Sequence, residues 1–159
     1  MTAEPQPQVE SVTVEGFTLP ADRLYDPVTH VWALPMPDGT VRLGLDALSV
    51  ETTGTLAGLD FLPEGTPLQR GTAYGTIEAA KFVGPLACPL SATFVRGNAA
   101  VLADPGLIER DPYGEGWLAD VAPADLDGER VLLLSEPGEL LTWLTGEVAD
   151  YRERGLIAE

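Results

Sequence analysis

The sequence predicts a mainly β domain, a sandwich or barrel of short strands, with one long C-terminal helix and short helical turns. Three observations carry this. Short apolar and β-branched runs between His30 and Val121 are separated by turn signals roughly every eight to twelve residues. The chain has 159 residues and 45% hydrophobic content, enough for one domain with a substantial core and too little for two large ones. Beyond Ser135 the apolar period changes, and Leu140, Leu141, Leu144, Val148 and Tyr151 recur at helical spacing.

Residues 1–11 carry Pro5, Gln6, Pro7 and Gln8 and have too little apolar surface to order themselves. They are expected to form a flexible tail, leaving residues 12–159 as a single domain. Val12, Val14 and Phe17 suggest a short added strand lying on that domain. His30 to Met36 reads as a strand, Pro37-Asp38-Gly39 as a turn, and Val41, Leu43 and Leu45 as one face of the returning strand. Val50, Thr52 and Thr53 give the segment from Asp46 onward a poor helix propensity of its own.

Leu56 to Leu62 is a further strand, closed by the turn signal Pro63-Glu64-Gly65-Thr66. Tyr74 and Thr76-Ile77 are β-prone, and Phe82-Val83 resume that character before Gly84-Pro85, so a hairpin with its tip near Lys81 is predicted. Ala92 to Val95 is a short strand, Arg96-Gly97-Asn98 a turn, and Trp117 to Val121 the last strand of the core. Ser135 and Pro137 read as cap and first turn of a helix over about 136–153, which Gly155 ends.

The formal net charge is −16, which repels phosphates at long range and argues against nucleic acid or anionic membrane as a partner. A basic-surfaced protein partner fits better. The single cysteine, Cys88, excludes an internal disulfide and suits a reducing compartment. No apolar run approaches the roughly 18 residues of a spanning helix, and no signal-peptide pattern opens the chain. A cytoplasmic location is expected.

Lys81 is the only lysine, since the other eight of the nine strong bases are arginine. A guanidinium keeps its proton near neutrality, whereas a lysine amine can lose it and be acylated. One position therefore calls for an amine. Among the other polar candidates, His30 has no partner histidines or cysteine pair for a metal site and reads as structural, and Cys88 as an inert buried thiol. Trp32, Trp117 and Trp143 fall in apolar patterns and read as core. No Ser-His-Asp set, phosphate loop or carboxylate pair is evident.

The segment Glu78-Ala79-Ala80-Lys81, followed by Cys88-Pro89-Leu90-Ser91-Ala92, resembles the lipoyl-lysine hairpin of the glycine cleavage system H-protein family, where Glu-Ser-Val-Lys-Ala precedes Ser-Pro-Val-Ser-Gly at equal spacing. Gly44, Gly54, Gly65, Gly71 and Gly75 fall where that family has glycines, and Asp111-Pro112-Tyr113-Gly114-Glu115-Gly116-Trp117-Leu118 matches one of its signatures. Tyr25 and His30-Val31-Trp32 resemble its Tyr and His-Glu-Trp, with one extra residue between them, so the likeness runs from about Tyr25 to Val121. It implies a barrel-sandwich hybrid fold with a short helix over Asp46 to Thr52, a covalent lipoyl group on Lys81, and a non-catalytic carrier shuttling a bound group between partner enzymes. It also implies a lipoate ligase or lipoyl transferase as a partner, with Glu78 as an acidic recognition feature. A biotinyl carrier is disfavoured, because its Met-Lys-Met is replaced by Ala80 and Phe82 around Lys81.

The chain departs from the family where polar residues hold the aminomethyl group. The Glu of His-Glu-Trp is Val31, and the Ser-Asp pair after the lysine is Gly84 and Pro85. Val31, Gly84 and Pro85 are thus candidate cleft residues, and they imply an apolar wall that suits an uncharged or soft group. Lys81-Phe82-Val83-Gly84-Pro85 is similar to the lipoate-binding proteins of the sulfur-oxidising heterodisulfide-reductase-like system. Three readings follow: a lipoyl carrier with glycine cleavage as nearest role, the same scaffold carrying sulfur intermediates, and an unmodified binding or regulatory module.

Overall fold

A computed structural model describes residues 10–80 and 82–157. The chain opens with a hairpin of β1 (Ser11–Val14) and β2 (Phe17–Pro20), followed by β3 (Leu24–Tyr25), β4 (Val31–Pro35), β5 (Val41–Leu45), α1 (Ala47–Thr53), β6 (Leu56–Phe61) and β7 (Pro67–Leu68). Then come β8 (Ala73–Ala79), β9 (Val83–Ala87), β10 (Ala92–Gly97), α2 (Ala99–Ala103), α3 (Leu107–Arg110) and β11 (Ala119–Pro123). The chain continues through α4 (Leu126–Glu129), a 3-10 turn over Arg130–Leu132, and α5 (Pro137–Glu153). The expected tail over residues 1–11 lies outside the described residues as far as 9. Ser11 already pairs with Pro20 across the first hairpin.

The strands form a barrel-sandwich of mainly β character. A six-stranded sheet runs β3-β4-β5-β11-β10-β7, a three-stranded sheet runs β6-β8-β9, and β1-β2 stands apart as a ribbon. All named pairs are antiparallel. Between the two larger sheets lies the main core, with Val31, Leu43, Tyr74, Ile77, Leu90, Phe94 and Val121 among its buried members. Antiparallel sheets with one face on a core give the alternation that the sequence displays. Along β8 the buried Tyr74 and Ile77 contrast with the exposed Thr76 and Glu78.

A second core forms on the outer side of the six-stranded sheet, where Val12, Leu19, Tyr25, Trp32 and Leu48 meet Leu140, Leu144 and Val148 of α5. Trp32 is fully buried here because β5 offers Gly44 opposite it: a β-carbon at residue 44 would fall 2.2 Å from the indole ring. Leu141, expected on the inward face, is 46% exposed. It lies about 100° around the helix from Leu140, beyond the stripe that 140, 144 and 148 define.

Local chemistry explains the other differences from expectation. Asn98 does not sit in a turn but caps α2: its Oδ1 accepts from the Ala100 N–H at 3.0 Å while Nδ2 donates to the Glu115 and Trp117 carbonyls at 2.9 and 2.8 Å. Trp117 precedes the last strand and lies beneath the Arg42 guanidinium, 3.9 Å from the ring centroid, so that the ladder runs from Ala119 to Pro123. Ser135 caps nothing in α5; Pro137 takes the first position and Glu136 becomes the cap, without a side-chain bond. The short helix α1 persists despite its residues because Asp46 accepts from the Ser49 N–H at 2.8 Å and Thr53 Oγ1 donates to the Ser49 carbonyl at 2.6 Å. Among the described residues no helix is long and apolar enough to cross a membrane, and no cluster of three His, Cys, Asp or Glu could hold a metal ion.

Candidate carrier site

The β8–β9 hairpin is built so that its end is held from both sides. Glu78 faces Val83, Ile77 faces Gly84 and Thr76 faces Pro85 across the ladder, and the Ala79 N–H donates to the Phe82 carbonyl at 2.9 Å to close the turn. On the other side β6 pairs with β8, and the Ala80 N–H donates to the Thr55 carbonyl at 2.9 Å. The connection between the strands is therefore fixed to the α1–β6 junction as well as to its own partner strand. Pro85 is tolerated because β9 is the edge of its sheet, where a missing N–H costs no ladder bond. The hairpin-tip exposure expected for Lys81 lies outside the described residues; its neighbours Ala80 and Phe82 bound that turn.

Beside this turn opens a cleft of about 410 Å³. Val28, Thr29, His30 and Val31 line it from the β3–β4 connection, Ser49, Thr52 and Thr53 from α1, Ile77, Phe82, Pro85 and Leu86 from the hairpin, and Tyr151, Arg154 and Leu156 from the end of α5. Its volume is within the range of small-molecule sites, ~300–1,000 Å³. Two of the sequence-predicted residues, Val31 and Pro85, meet in this one cleft. Gly84 is not among its lining residues; a β-carbon there would fall 2.8 Å from the Phe82 ring, so its lack of a side chain makes room for Phe82 to reach the cleft. Glu78 is exposed and lies outside the cleft, near Asp60 and Thr76.

The wall is not purely apolar as the sequence implied, because His30 and Arg154 line it. His30 is buried with φ of 62°, in the left-handed region. Its Nδ1 lies 2.6 Å from Asp46 Oδ2 and its Nε2 3.0 Å from Glu147 Oε1. Carboxylates only accept, so both ring nitrogens donate and the ring is an imidazolium. Burial is the strongest single influence and opposes that charge, but the Asp46 charge and hydrogen bond together with those of Glu147 outweigh it, leaving the His30 pKa raised above its usual value. Trp143 and Tyr151 flank the ring at centroid distances of 4.7 and 5.5 Å. Cys88 is buried beneath the hairpin, its Sγ donating to the Leu90 carbonyl at 3.0 Å, and burial pushes its thiol up to about 11.

Sequence reasoning did not place Phe82, Tyr151 or Arg154 in the site. Phe82 carried a usable signal, as a large apolar residue beside the lone lysine in a turn. Arg154 carried none, because 73 residues separate it from Lys81 and only the path of α5 brings it here.

A domain of antiparallel sheets built around one anchored hairpin, with a cleft beside the hairpin's end, is a barrel-sandwich carrier-type domain. The family model described as Glycine cleavage H-protein matches residues 23–143. The glycine cleavage system H protein of Synechococcus sp. (strain RCC307) is 35% identical over 110 residues, covering 69% of this chain and 83% of the relative. Glycine cleavage system H protein 5 of Aquifex aeolicus (strain VF5) is 34% identical over 134 residues, covering 80% and 90%. The crystal structure of a glycine cleavage system H protein from Mycobacterium marinum superposes with a TM-score of 0.61 at 37% identity, covering 67% of this chain and 87% of that one. The chain belongs to the glycine cleavage H-protein family.

Proposed function

We propose that this protein is a lipoyl carrier, with lipoate joined as an amide to Lys81, and that it shuttles a group on that arm between partner enzymes without catalysing the steps itself. The observation that carries the reading is the coincidence of three things at one turn: the family's hairpin, the chain's single lysine between Ala80 and Phe82, and the adjoining cleft. An extended lipoyl-lysine arm of ~14 Å is long enough to enter a neighbouring cleft or leave it for a partner's site. When bound, the group supplies a redox-active dithiolane to which a cargo can be attached. The protein's own residues hold and orient: Val31, Pro85 and Phe82 offer apolar surface to the arm, Gly84 frees Phe82 to do so, and Glu78 on the outer face is available to a lipoate ligase or lipoyl transferase. Residues 12–159 act as one unit in this scheme. The basic-surfaced partner enzymes and the cytoplasmic location are parts of the same proposal.

The nearest named role is glycine cleavage. Val31 and Pro85 stand where the family's polar cargo-holding residues are expected, and both line the cleft. That favours, as a second reading, a cargo other than aminomethyl, such as the sulfur intermediates of a heterodisulfide-reductase-like complex.

The test is intact mass after incubation with lipoate, ATP and a lipoate ligase. Wild type should gain the mass of one lipoyl amide, located at Lys81 by peptide mapping, and Lys81→Arg should gain nothing. An unshifted wild-type mass with several ligases, the host's own included, would sink the carrier reading in favour of an unmodified binding module.

A further inference from the structure

The chain carries 25 acidic residues against nine strong bases, yet none of the described residues lining the cleft is Asp or Glu. The nearby carboxylates are already engaged. Asp46 and Glu147 hold the two nitrogens of His30, and Asp150 Oδ2 accepts from Arg154 Nη1 at 3.2 Å. An ammonium entering the cleft would thus find His30 and Arg154 on the lining, each paired with carboxylates that lie behind them, and no carboxylate on the lining itself to accept its protons. Hydrogen-bond donors, by contrast, are in surplus. Arg154 offers five N–H groups, and its contact with Asp150 takes one nitrogen. The Thr29 hydroxyl is buried at its oxygen and has no partner among the described residues. The hydroxyls of Thr52 and Thr53 are committed to the Ser49 carbonyl, whereas that of Thr29 is buried with unmet capacity.

We propose, on the basis that Lys81 carries the lipoyl arm, that this cleft selects an arm end bearing a small oxyanion, a carboxylate or a sulfonate, over one bearing an ammonium. Arg154 supplies the charge-assisted donor and Thr29 the neutral one, while Val31, Ile77 and Phe82 take the hydrocarbon of the arm. Arg154 is exposed at the rim, so it acts as a specificity residue for the entering group and not as a core support.

The experiment uses the full chain, lipoylated and verified by intact mass. The arm is reduced and alkylated at sulfur with iodoacetate, 2-bromoethanesulfonate, iodoacetamide or 2-bromoethylamine, giving carboxymethyl, sulfonatoethyl, neutral and aminoethyl ends. Cys88, fully buried, should stay unmodified, which the mass also checks. Amide chemical shifts of Val31, Ile77 and Leu86 report the docked fraction. Both anionic ends should show a docked-to-free ratio about tenfold above the aminoethyl end, with the neutral end between them. Arg154→Gln should remove most of that preference, read as the ratio of anionic to aminoethyl docking, and Thr29→Val should reduce it by a few-fold. The inference is overturned if the aminoethyl end docks as well as the anionic ends, if no end docks, or if Arg154→Gln leaves the preference intact. A mass that never shifts with ligase overturns both this inference and the lipoyl reading; a shifted mass without charge preference overturns this one alone.

Discussion

His30 takes a backbone conformation that costs a side-chain-bearing residue roughly 1 kcal/mol, and it is held there from four directions: Asp46 and Glu147 at the nitrogens, Trp143 and Tyr151 on the ring. Its N–H also donates to the Asp26 carbonyl at 3.0 Å and its carbonyl accepts from Asp46 N–H at 3.1 Å. The imidazolium ties the end of α5 to α1 through two carboxylates. A raised folded pKa gives stability that is complete below the unfolded value near 6.5 and is lost as pH rises through the folded value. The melting temperature of wild type should accordingly fall from about pH 6 to pH 9 more steeply than that of His30→Asn, a replacement that tolerates the left-handed backbone. At pH 6 His30→Asn should cost about 2–4 kcal/mol by urea unfolding, because buried Asp46 loses its counter-charge. Equal pH slopes in the two proteins would show that the imidazolium is not the source. Sequence alone could not assemble this cluster, since Asp46 and Glu147 lie 16 and 117 residues from His30.

At the scale of elements, strands were legible from the residues, α1 was expected only through the family resemblance, and the smaller helices were not legible. The period-two burial of β5 and β8, and the Pro37-Asp38-Gly39 turn, follow from residue type, because one face of each strand meets the core. Helices α2, α3 and α4 are four or five residues long, below the length at which periodicity registers, and each is fixed by what surrounds it. Ile108 of α3 is buried against the main core, for example, and Asp125 accepts from the Gly128 N–H at 3.1 Å to start α4. The hairpin was readable from Tyr74 to Val83, but its second anchor, Ala80 to the Thr55 carbonyl, was not, because the Thr55 junction owes its place to α1. Helix α5 was readable on its buried stripe. Leu144 is fully buried in the second core, and Leu144→Ala should lower stability by about 2–4 kcal/mol in urea unfolding, through lost burial and the cavity left behind. Its lipoylation yield under native conditions should be unchanged, since the cleft takes its α5 residues from Tyr151 onward. A loss of yield in a still-folded variant would show that α5 shapes the hairpin itself.

For the whole molecule, a charge of −16 spread over a small domain sets how it meets other proteins. Under the proposed carrier role, attraction to a basic ligase surface would be screened over a Debye length of ~10 Å at 0.1 M salt. Raising monovalent salt from about 20 to 200 mM should therefore slow lipoylation by about tenfold in kcat/KM, chiefly through association, and an unchanged value would show that net charge plays no part in docking. Asp120 is 1% exposed and bound by both Arg42 and Arg96, so this network is screened less by the same salt than the exposed pairs are. The clamping of the hairpin end to Thr55 has a consequence for the arm as a tethered ligand. Under the proposed lipoylation of Lys81, a ~14 Å arm confines its end to roughly ten thousand cubic ångströms, an effective concentration on the order of 0.1 M at the cleft. Half occupancy then needs an intrinsic dissociation constant of only about 0.1 M, so even a weak cleft can shelter a cargo half of the time and still release it to a partner with little energy to recover.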